Sequence, residues 1–340
     1  MRVVAIGGGT GLSTLLRGMK RYTAHPSGEE IVPAEISDLA AVVTVTDDGG
    51  SSGRLRKDLG IPPPGDIRNC LVALSEDEAL LAKLFQYRFD SGEGLVGHSF
   101  GNLFLAALSH LSNDFTLAVQ QSSAILATRG HIYPSTTADV QLVASMDDGS
   151  EVRGETRITA SKRRIVELRL EPQHAKPLPQ TLQAIEQADL ITLGPGSLFT
   201  SLITSLLVRD VVEAIARSSA VRVYVCNLMT QANESLDLTA ADHVSAIYRH
   251  SEIPIFDYAI VNTAPIAQNL REKYAMEGQV PIVCDTQRIE DMGVRCITGD
   301  FAAQGEMARH ATDRLAIELL RLARIGRPAE AFDSDSIRLA

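Results

Sequence analysis

The sequence of 340 residues contains no tryptophan, and aromatic residues make up only 5 % of it. Its core must therefore be built from aliphatic side chains, as is common in α/β proteins. A chain of this length buries a large core and needs neither disulfides nor a structural metal. The cysteines are far apart and form no C-x-x-C pair, which favours buried thiols in a reducing compartment over metal ligands. They are Cys70, Cys226, Cys284 and Cys296.

Basic runs and long apolar runs are also missing. Lys and Arg number 32 against 42 Asp and Glu, which gives a formal net charge of −10. This balance argues against nucleic-acid binding, because such binding relies on neutralising phosphates with basic side chains. No stretch reaches the roughly 18 apolar residues of a membrane helix, and the N-terminal apolar run is too short for a signal peptide. We therefore expect a cytoplasmic protein without membrane insertion.

Short apolar runs alternate with helical segments along most of the chain. Apolar runs that stop at glycine or a polar residue predict buried strands at 3–6, 40–45, 190–193, 221–225 and 258–261. Apolar residues at helical spacing predict helices at 12–19, 67–88 (with a break), 98–126 and 211–216. Strands that alternate with helices indicate a parallel sheet covered on both faces.

The middle of the chain follows another pattern. Residues 140–146 and 152–159 alternate between apolar and polar side chains around an Asp148-Gly149 turn, which predicts a β-hairpin, and 165–170 adds a strand. We interpret residues of about 130–170 as a small antiparallel β insertion.

Three segments carry little regular pattern. Residues 25–38 are predicted to form a surface loop, and the glycine- and proline-rich stretch 48–66 a long loop without regular structure. Such a loop inside a compact domain is usually functional or disordered. The expected organisation is one α/β domain over 1–328, followed by a C-terminal tail at 329–340.

A glycine-rich turn, Gly7-Gly8-Gly9-Thr10-Gly11, follows the first strand. Glycines let the backbone approach phosphate oxygens, and the N-terminus of the next helix attracts anions. The turn departs from the dinucleotide fingerprint because Leu12 stands where a glycine is needed, and no Lys-Ser or Lys-Thr pair follows as in a Walker A loop. The turn therefore predicts phosphate binding and disfavours a nicotinamide-dependent oxidoreductase.

Other strand ends carry polar or glycine residues as well. In open α/β sheets ligands bind outside the carboxyl ends of the strands, so these residues indicate a ligand crevice. They are Asp47 and Asp48, Gly194-Pro195-Gly196-Ser197, Asn227 and Asn262.

The sequence leaves more than one role open for Asp47, Asp48, Arg68 and His98. Asp47 and Asp48 either hold Mg²⁺ or stabilise the loop that follows them. Asp66 is predicted to be the N-cap of a helix, which leaves Arg68 to contact a phosphate or to form a surface ion pair. His98 opens an apolar helix as an acid–base group, a ligand contact or a structural histidine.

Together these motifs resemble the CofD-like superfamily and, within it, the YvcK branch, the gluconeogenesis factor family. The matching segments are 7–13, 44–55, 63–70, 97–102, 194–201, 227–231 and 261–263, which follow one another over nearly the whole chain. The resemblance implies a Rossmann-like three-layer α/β/α core with a mostly parallel sheet. It also implies a regulator rather than an established enzyme. Such a protein would bind UDP-sugars such as UDP-N-acetylglucosamine and be needed for growth on gluconeogenic carbon sources, cell shape and peptidoglycan supply.

The related branch, 2-phospho-L-lactate transferase, provides the alternative of an Mg²⁺-dependent transferase acting on a nucleotide diphosphate-linked donor. That branch uses a guanine nucleotide and carries Ser-Pro-Asp-Leu-Asp after the second strand. The comparable place in this sequence reads Pro64-Gly65-Asp66-Ile67-Arg68, so its second acidic position is basic. This departure disfavours a matching metal site and suits an extra contact to a diphosphate.

The nucleotide-sugar hypothesis assigns the ligand to residues at these motifs. The predicted ligand-binding residues are Gly8, Gly9, Thr10, Gly11, Asp47, Asp66, Arg68, Asn69, His98, Asn102, Gly194, Pro195, Gly196, Ser197, Ser201, Asn227, Thr230 and Asn262. Asp47 and Asp48 are the candidate Mg²⁺ ligands, and Mg²⁺ is the one cofactor considered. A homodimer is expected from symmetry statistics. An unidentified protein partner is expected at the β insertion or at 48–66.

Overall fold

The computed structural model describes residues 1–24, 35–76, 80–161 and 163–328. Its strands are β1 (Arg2–Gly7), β2 (Asp38–Val43), β3 (His131–Pro134), β4 (Gln141–Met146), β5 (Glu151–Arg153), β6 (Ile165–Glu171), β7 (Leu190–Leu193), β8 (Val221–Val225), β9 (Tyr258–Asn262) and β10 (Arg295–Gly299). Of the predicted loop at 25–38, residues 25–34 lie outside the described residues, as does the predicted tail at 329–340.

The helices surround these strands. They are α1 (Gly9–Lys20), α2 (Gly50–Leu59), α3 (Gly65–Leu74), α4 (Leu80–Gln86), α5 (Phe100–Ser112), α6 (Phe115–Ile125), α7 (Glu155–Ala160), α8 (Pro179–Gln187), α9 (Thr204–Leu206), α10 (Val211–Arg217), α11 (Ala240–Ser251), α12 (Gln268–Ala275), α13 (Thr286–Asp291) and α14 (Thr312–Ile325). A π-helix covers Leu198–Ile203 directly before α9. In the part of the chain that the structure describes, no helix is long and apolar enough to cross a bilayer.

Seven parallel strands form the main sheet in the order β10-β9-β8-β7-β1-β2-β3. The chain adds strands on one side of β1 as far as β3 and then on the other side from β7 onwards. The change of direction between β1 and β7 is a topological switch point, where the loops after the two strands diverge and leave a crevice. This architecture confirms the predicted Rossmann-like fold with its mostly parallel sheet.

Helices cover both faces of the sheet. Val3 and Ala5 of β1 point to the face packed by α1, α3 and α14, whereas Val4 and Ile6 point to the face packed by the π-helix, α10 and α11. The period of two along the strand therefore divides its apolar residues between two cores. Both cores are mainly aliphatic, as the composition predicts.

The antiparallel insertion is present as a sheet of order β5-β4-β6. It differs from the prediction in two places. Residues 131–134 form β3 of the main sheet, where they pair with β2, and residues 155–160 form α7 instead of the end of a hairpin strand. The strand ends early because Gly154 has a φ of +89° and the Asp48 carboxylate accepts hydrogen bonds from the backbone and hydroxyl of Thr156.

The predicted loop at 48–66 is partly wrong, because α2 occupies Gly50–Leu59. Gly50 and Gly60 have positive φ and lie at the two ends of this helix, while Ser51, Ser52 and Leu55 are buried on one face. The prolines follow only after Gly60. Glycine and proline therefore delimit the helix instead of preventing it, and burial of the small residues outweighs their poor helix propensity.

Candidate functional site

The glycine turn lies at the switch point and leads into α1. Gly8 is the N-cap, no side chain caps the helix, and the first turn has no acidic residue. Gly9 has a φ of +65°, and a Cβ at this position would meet no heavy atom within 4 Å. The first N–H groups of a helix have no partners within it. The turn thus combines anion-attracting N–H groups with open space.

The second glycine turn packs directly on the first. A Cβ on Gly11 would lie 2.3 Å from the carbonyl oxygen of Pro195, so no side chain fits between α1 and this turn. Asn227 holds the turn from the next strand end. Its Nδ2 donates to the Gly196 carbonyl at 2.7 Å, and its Oδ1 accepts from the Gly196 N–H at 3.1 Å. Three strand ends are therefore joined at one point.

Gly11→Ala is expected to lower the free energy of unfolding by about 1–3 kcal/mol, because overpacking forces the backbone of the two turns apart. Gly305→Ala is the matched control, since a Cβ at Gly305 meets nothing within 4 Å. Urea unfolding followed by circular dichroism measures both. Equal stability of the two variants would contradict the close approach.

A cavity of about 470 Å³ opens beside the two turns. Its walls include nine of the predicted residues: Gly8, Gly9, Thr10, Gly11, Pro195, Gly196, Ser197, Asn227 and Thr230. Ligand cavities of small molecules typically have volumes of roughly 300–1,000 Å³. The structure therefore brings half of the predicted site residues together around one space of suitable size.

The opposite wall comes from a part of the chain that carries no strand-end motif. It includes Tyr274, Gln279, Arg309 and His310, and Thr14 and Gln231 add polar groups near the turns. The Arg309 side chain is exposed and has no hydrogen bond or ion pair to any described residue. Burial lowers the pKa of His310 to about 4, and its Nε2 lies 3.1 Å from the Cys226 carbonyl, so this histidine is neutral at physiological pH. Arg309 is thus the only cationic side chain in the described wall.

Asp66 lies at the other side of the glycine turn. Its Oδ2 accepts a hydrogen bond from the Gly9 N–H at 2.7 Å. It is not the N-cap of α3, because that helix begins at Gly65 and Pro64 takes the cap position. Burial, with a smaller contribution from the charge of Asp47, raises the pKa of Asp66 to about 6. A carboxylate thus occupies one donor of the predicted phosphate turn.

Glu155, at the start of α7, joins this acidic region. Burial, with smaller contributions from the charges of Asp47 and Asp66, raises its pKa to about 9. Glu155 is not recognisable as a site residue from the sequence, because only the fold of the insertion brings α7 to the end of β2.

The neighbouring aspartates Asp47 and Asp48 point to different partners. Asp47 Oδ1 accepts from the Gly49 N–H at 2.9 Å, whereas Asp48 Oδ1 accepts from the Thr156 N–H at 2.8 Å. No three His, Cys, Asp or Glu side chains within the described ranges are close enough to share one ion. Mg²⁺ is commonly held by one or two carboxylates together with substrate phosphates and waters. Asp47 and Asp66 fit that arrangement next to the glycine turn, while the role of Asp48 as a ligand stays a prediction.

Four more predicted residues form a polar network behind Asp66. Arg68 donates to Ser99 Oγ at 2.6 Å, to Asn102 Oδ1 at 3.1 Å and to Asn69 Oδ1 at 2.8 Å. His98 Nδ1 lies 2.9 Å from Ser51 Oγ, which also accepts from Asn102. Arg68 makes no ion pair with a described carboxylate, so it is not the surface ion pair that the sequence left open. This network borders Asp66 and does not line the 470 Å³ cavity.

The remaining predicted residues have other surroundings. Ser201 is buried in the π-helix with its hydroxyl beneath Gly8. Gly194 has a φ of +88° and begins the second glycine turn, which continues with Pro195 and Gly196. Asn262 lines a neighbouring cavity of about 340 Å³ and connects two loops, donating to the Ala264 carbonyl and accepting from the Phe301 N–H. The structure therefore places Asn262 beside the main cavity but not in its wall.

Comparisons with known proteins give consistent matches. The family described as 2-phospho-L-lactate transferase CofD matches residues 3–302. The gluconeogenesis factor of Bacillus subtilis (strain 168) is 44 % identical over 322 residues, which are 94 % of this chain and 98 % of the relative. The gluconeogenesis factor of Halalkalibacterium halodurans is 44 % identical over 319 residues, covering 94 % of this chain and 95 % of the relative.

Solved structures agree with these matches. A crystal structure of a Bacillus halodurans protein superposes with a TM-score of 0.88 at 43 % identity, covering 94 % of this chain and 99 % of that chain. A second crystal structure, titled as a member of the UPF0052 family from Bacillus halodurans, has a TM-score of 0.87 at 43 % identity and covers 94 % of this chain and 98 % of that chain.

Proposed function

The chain belongs to the gluconeogenesis factor family of CofD-like proteins, and from this membership we propose that it is a regulatory protein that binds a nucleotide sugar of the UDP-N-acetylglucosamine type. Its role would be in growth on gluconeogenic carbon sources, cell morphogenesis and peptidoglycan supply. The names of the relatives support the link to gluconeogenesis. The cavity beside the glycine turns supports the nucleotide-sugar ligand.

The main support for this proposal is that the glycine turn before α1 lines the cavity. Gly9 is open to the cavity, and the N–H groups that follow it in the first turn of α1 suit a diphosphate, although the Asp66 carboxylate already accepts the Gly9 N–H. Arg309 is the cation on the opposite wall and is free to pair with a phosphate oxygen. A diphosphate between these two groups would be bound from both sides.

The rest of the wall suits the uncharged parts of such a ligand. Thr230, Gln231 and Gln279 place hydroxyl and carboxamide groups along it, and Tyr274 adds an aromatic ring. Hydroxyl and amide groups match the donors and acceptors of a sugar or a pyrimidine without adding charge. The wall also includes Glu277, whose carboxylate accepts a hydrogen bond from Gln279 Nε2 at 2.9 Å. One cation and several neutral polar groups would then serve a diphosphate flanked by neutral rings, with this carboxylate held by Gln279.

Arg309→Gln is expected to weaken binding of UDP-N-acetylglucosamine by about 10- to 100-fold, the effect of losing a charge-assisted hydrogen bond to a phosphate. Isothermal titration calorimetry measures the dissociation constant. Arg249→Gln is the matched control, because Arg249 is an exposed arginine in the last turn of α11, outside the cavity wall. Unchanged affinity in the Arg309 variant would overturn the proposed position of the diphosphate.

The second candidate is an Mg²⁺-dependent transferase acting on a nucleotide diphosphate-linked donor. It is favoured by one observation, the Asp66 carboxylate at 2.7 Å from the Gly9 N–H with Asp47 close by. When bound there, Mg²⁺ would neutralise charge that develops on a phosphate. Arg68 argues against this candidate, because it stands where the transferase pattern has its second acidic residue.

Phosphorus NMR of the protein with UDP-N-acetylglucosamine and Mg²⁺ separates the two candidates. A regulator returns the ligand intact after prolonged incubation. Release of a free nucleotide that disappears in Asp47→Asn would instead establish the transferase. A regulator also needs a protein partner, for which the sheet β5-β4-β6 and the segment 48–66 remain the proposed surfaces.

A further inference from the structure

The segment from α4 to α6, including the loop between α4 and α5, exposes a large share of the apolar side chains at the surface. Among the described residues, eight of the eighteen exposed large hydrophobic side chains lie between residues 80 and 125. Leu111 is 83 % exposed, Leu80 74 % and Ile125 52 %. Single exposed leucines are ordinary, but a concentration of them marks an interaction surface.

Part of this surface is a groove between α5 and α6, two consecutive helices in contact. The groove has a volume of about 490 Å³ and is lined by Leu108, Leu111, Ser112, Gln121, Ala124 and Ile125. The spacings of three on α5 and four on α6 place these side chains on one face of each helix. The helix pair thus presents a continuous, mostly apolar face.

This face is also almost without charge. The segment 100–126 contains no Lys, Arg or Glu, and Asp114 is its only carboxylate. Asp114 is the N-cap of α6, where its side chain accepts from the Leu117 N–H. By contrast, the surface helix α14 carries five charged residues among fourteen. The lack of charge on α5 and α6 is therefore a local property in a chain of net charge −10.

We infer that this face is the interface of a symmetric homodimer, in which α5 and α6 of one protomer pack against the same helices of its partner. Two identical copies with a net charge of −10 repel each other over most of their surface, and a neutral apolar face lets them meet without juxtaposing like charges. A two-fold interface uses the same patch twice, so the patch must be compatible with itself. The same lack of charge gives a charged partner protein nothing to pair with.

The dimer would leave the nucleotide cavity accessible. Helix α5 begins at Phe100, next to the Arg68–Ser99 hydrogen bond, and no residue that lines the groove also lines the nucleotide cavity. Leu111 lies eleven residues further, which is about 16 Å along the helix axis. The inference is therefore independent of the proposed ligand, and dimerisation and nucleotide binding fail or succeed separately.

Sedimentation equilibrium of the full chain tests the inference. The wild-type protein is expected to reach twice the chain mass of 36.7 kDa. The double variant Leu111→Asp, Ile125→Asp is expected to raise the dimer dissociation constant at least tenfold, because it would place charges opposite their own copies in the interface. Met276→Asp is the control, since Met276 is also 83 % exposed but lies outside this face.

Three results would overturn the inference. They are a wild-type protein that stays monomeric at all concentrations, a dimer that the double variant leaves unchanged, and a dimer that Met276→Asp weakens equally. Circular dichroism confirms that the variants fold, which is expected because both replaced side chains are more than half exposed. Added salt is expected to leave the dimer intact or strengthen it, because salt screens the repulsion and the contact itself is apolar.

Discussion

Glu155→Gln is expected to stabilise the protein by about 3 kcal/mol at pH 7, because the folded state keeps a proton on Glu155 that the unfolded state has lost. The pKa of Glu155 is raised from 4.5 to about 9 by burial and by the carboxylates around it. Between these two values wild-type stability falls by about 1.4 kcal/mol per pH unit as the pH rises. Glutamine resembles the protonated carboxyl and removes this cost.

The difference in stability between Glu155→Gln and wild type is expected to depend on pH. Below pH 4 the carboxyl is protonated in both states, so wild type and variant are expected to be equally stable. Above pH 4 the variant is expected to become increasingly more stable than wild type as the pH rises. Urea unfolding at several pH values, with a chelator present, measures it. Glu186→Gln replaces an exposed glutamate and is expected to change stability by less than about 0.5 kcal/mol. A Glu155 variant that equals wild type at pH 7 would contradict a half-buried Glu155 that keeps its proton.

Asp66→Asn is expected to tighten binding of UDP-N-acetylglucosamine about tenfold or more at pH 8 without divalent cations. The wild-type carboxylate, with a pKa of about 6, is ionised at that pH and bonds to the Gly9 N–H where a phosphate would be received. Two like charges about 4 Å apart near a protein surface repel by up to about 4 kcal/mol. Asparagine keeps an acceptor for Gly9 but removes the charge.

The same charge predicts a pH dependence of binding. Wild-type affinity is expected to rise as the pH falls from 7 to 5, because protonation of Asp66 removes the repulsion, whereas the Asp66 variant shows no such rise. Calorimetry at each pH measures both, with Asp147→Asn, an exposed carboxylate in the insertion, as the control. An Asp66 variant that binds more weakly, and only when Mg²⁺ is present, would instead favour the Mg²⁺-dependent transferase.

The main sheet was predictable because its strands are buried on both faces. The run Val3 to Ile6 is continuously apolar, the run Leu190 to Leu193 is interrupted only by the buried Thr192, and each stops at a glycine turn. The rule that ligands bind beyond the carboxyl ends of strands then places both turns at one site. By contrast, β10 carries a half-exposed pattern at the edge of the sheet and gives no such signal.

The elements that the sequence did not predict depend on tertiary contacts. Helix α2 forms in a glycine-rich segment because Ser51, Ser52 and Leu55 are buried by the surrounding fold. Helix α7 begins where Asp48 accepts hydrogen bonds from Thr156, 108 positions away in sequence. Local helix and strand propensities do not reflect either contact. The sequence therefore predicts a loop where α2 forms and a strand where α7 forms.

The candidate site was predictable on one wall only. The turns at Gly9 and Gly196 follow strands, and their chemistry is local. Arg309 and Tyr274 reach the cavity because the chain after β9 folds back over the strand ends. They lie in segments without a motif, and a lone arginine in such a segment resembles any solvated surface residue.

The most direct test of the central claim is calorimetric titration of the protein with UDP-N-acetylglucosamine, UDP-glucose, GDP and NAD, each with and without Mg²⁺. The protein is expected to bind one UDP-sugar per chain without Mg²⁺, to bind it more weakly in Arg309→Gln and to leave the ligand intact. Absence of UDP-sugar binding, or binding of GDP alone and only with Mg²⁺, would contradict the proposed function.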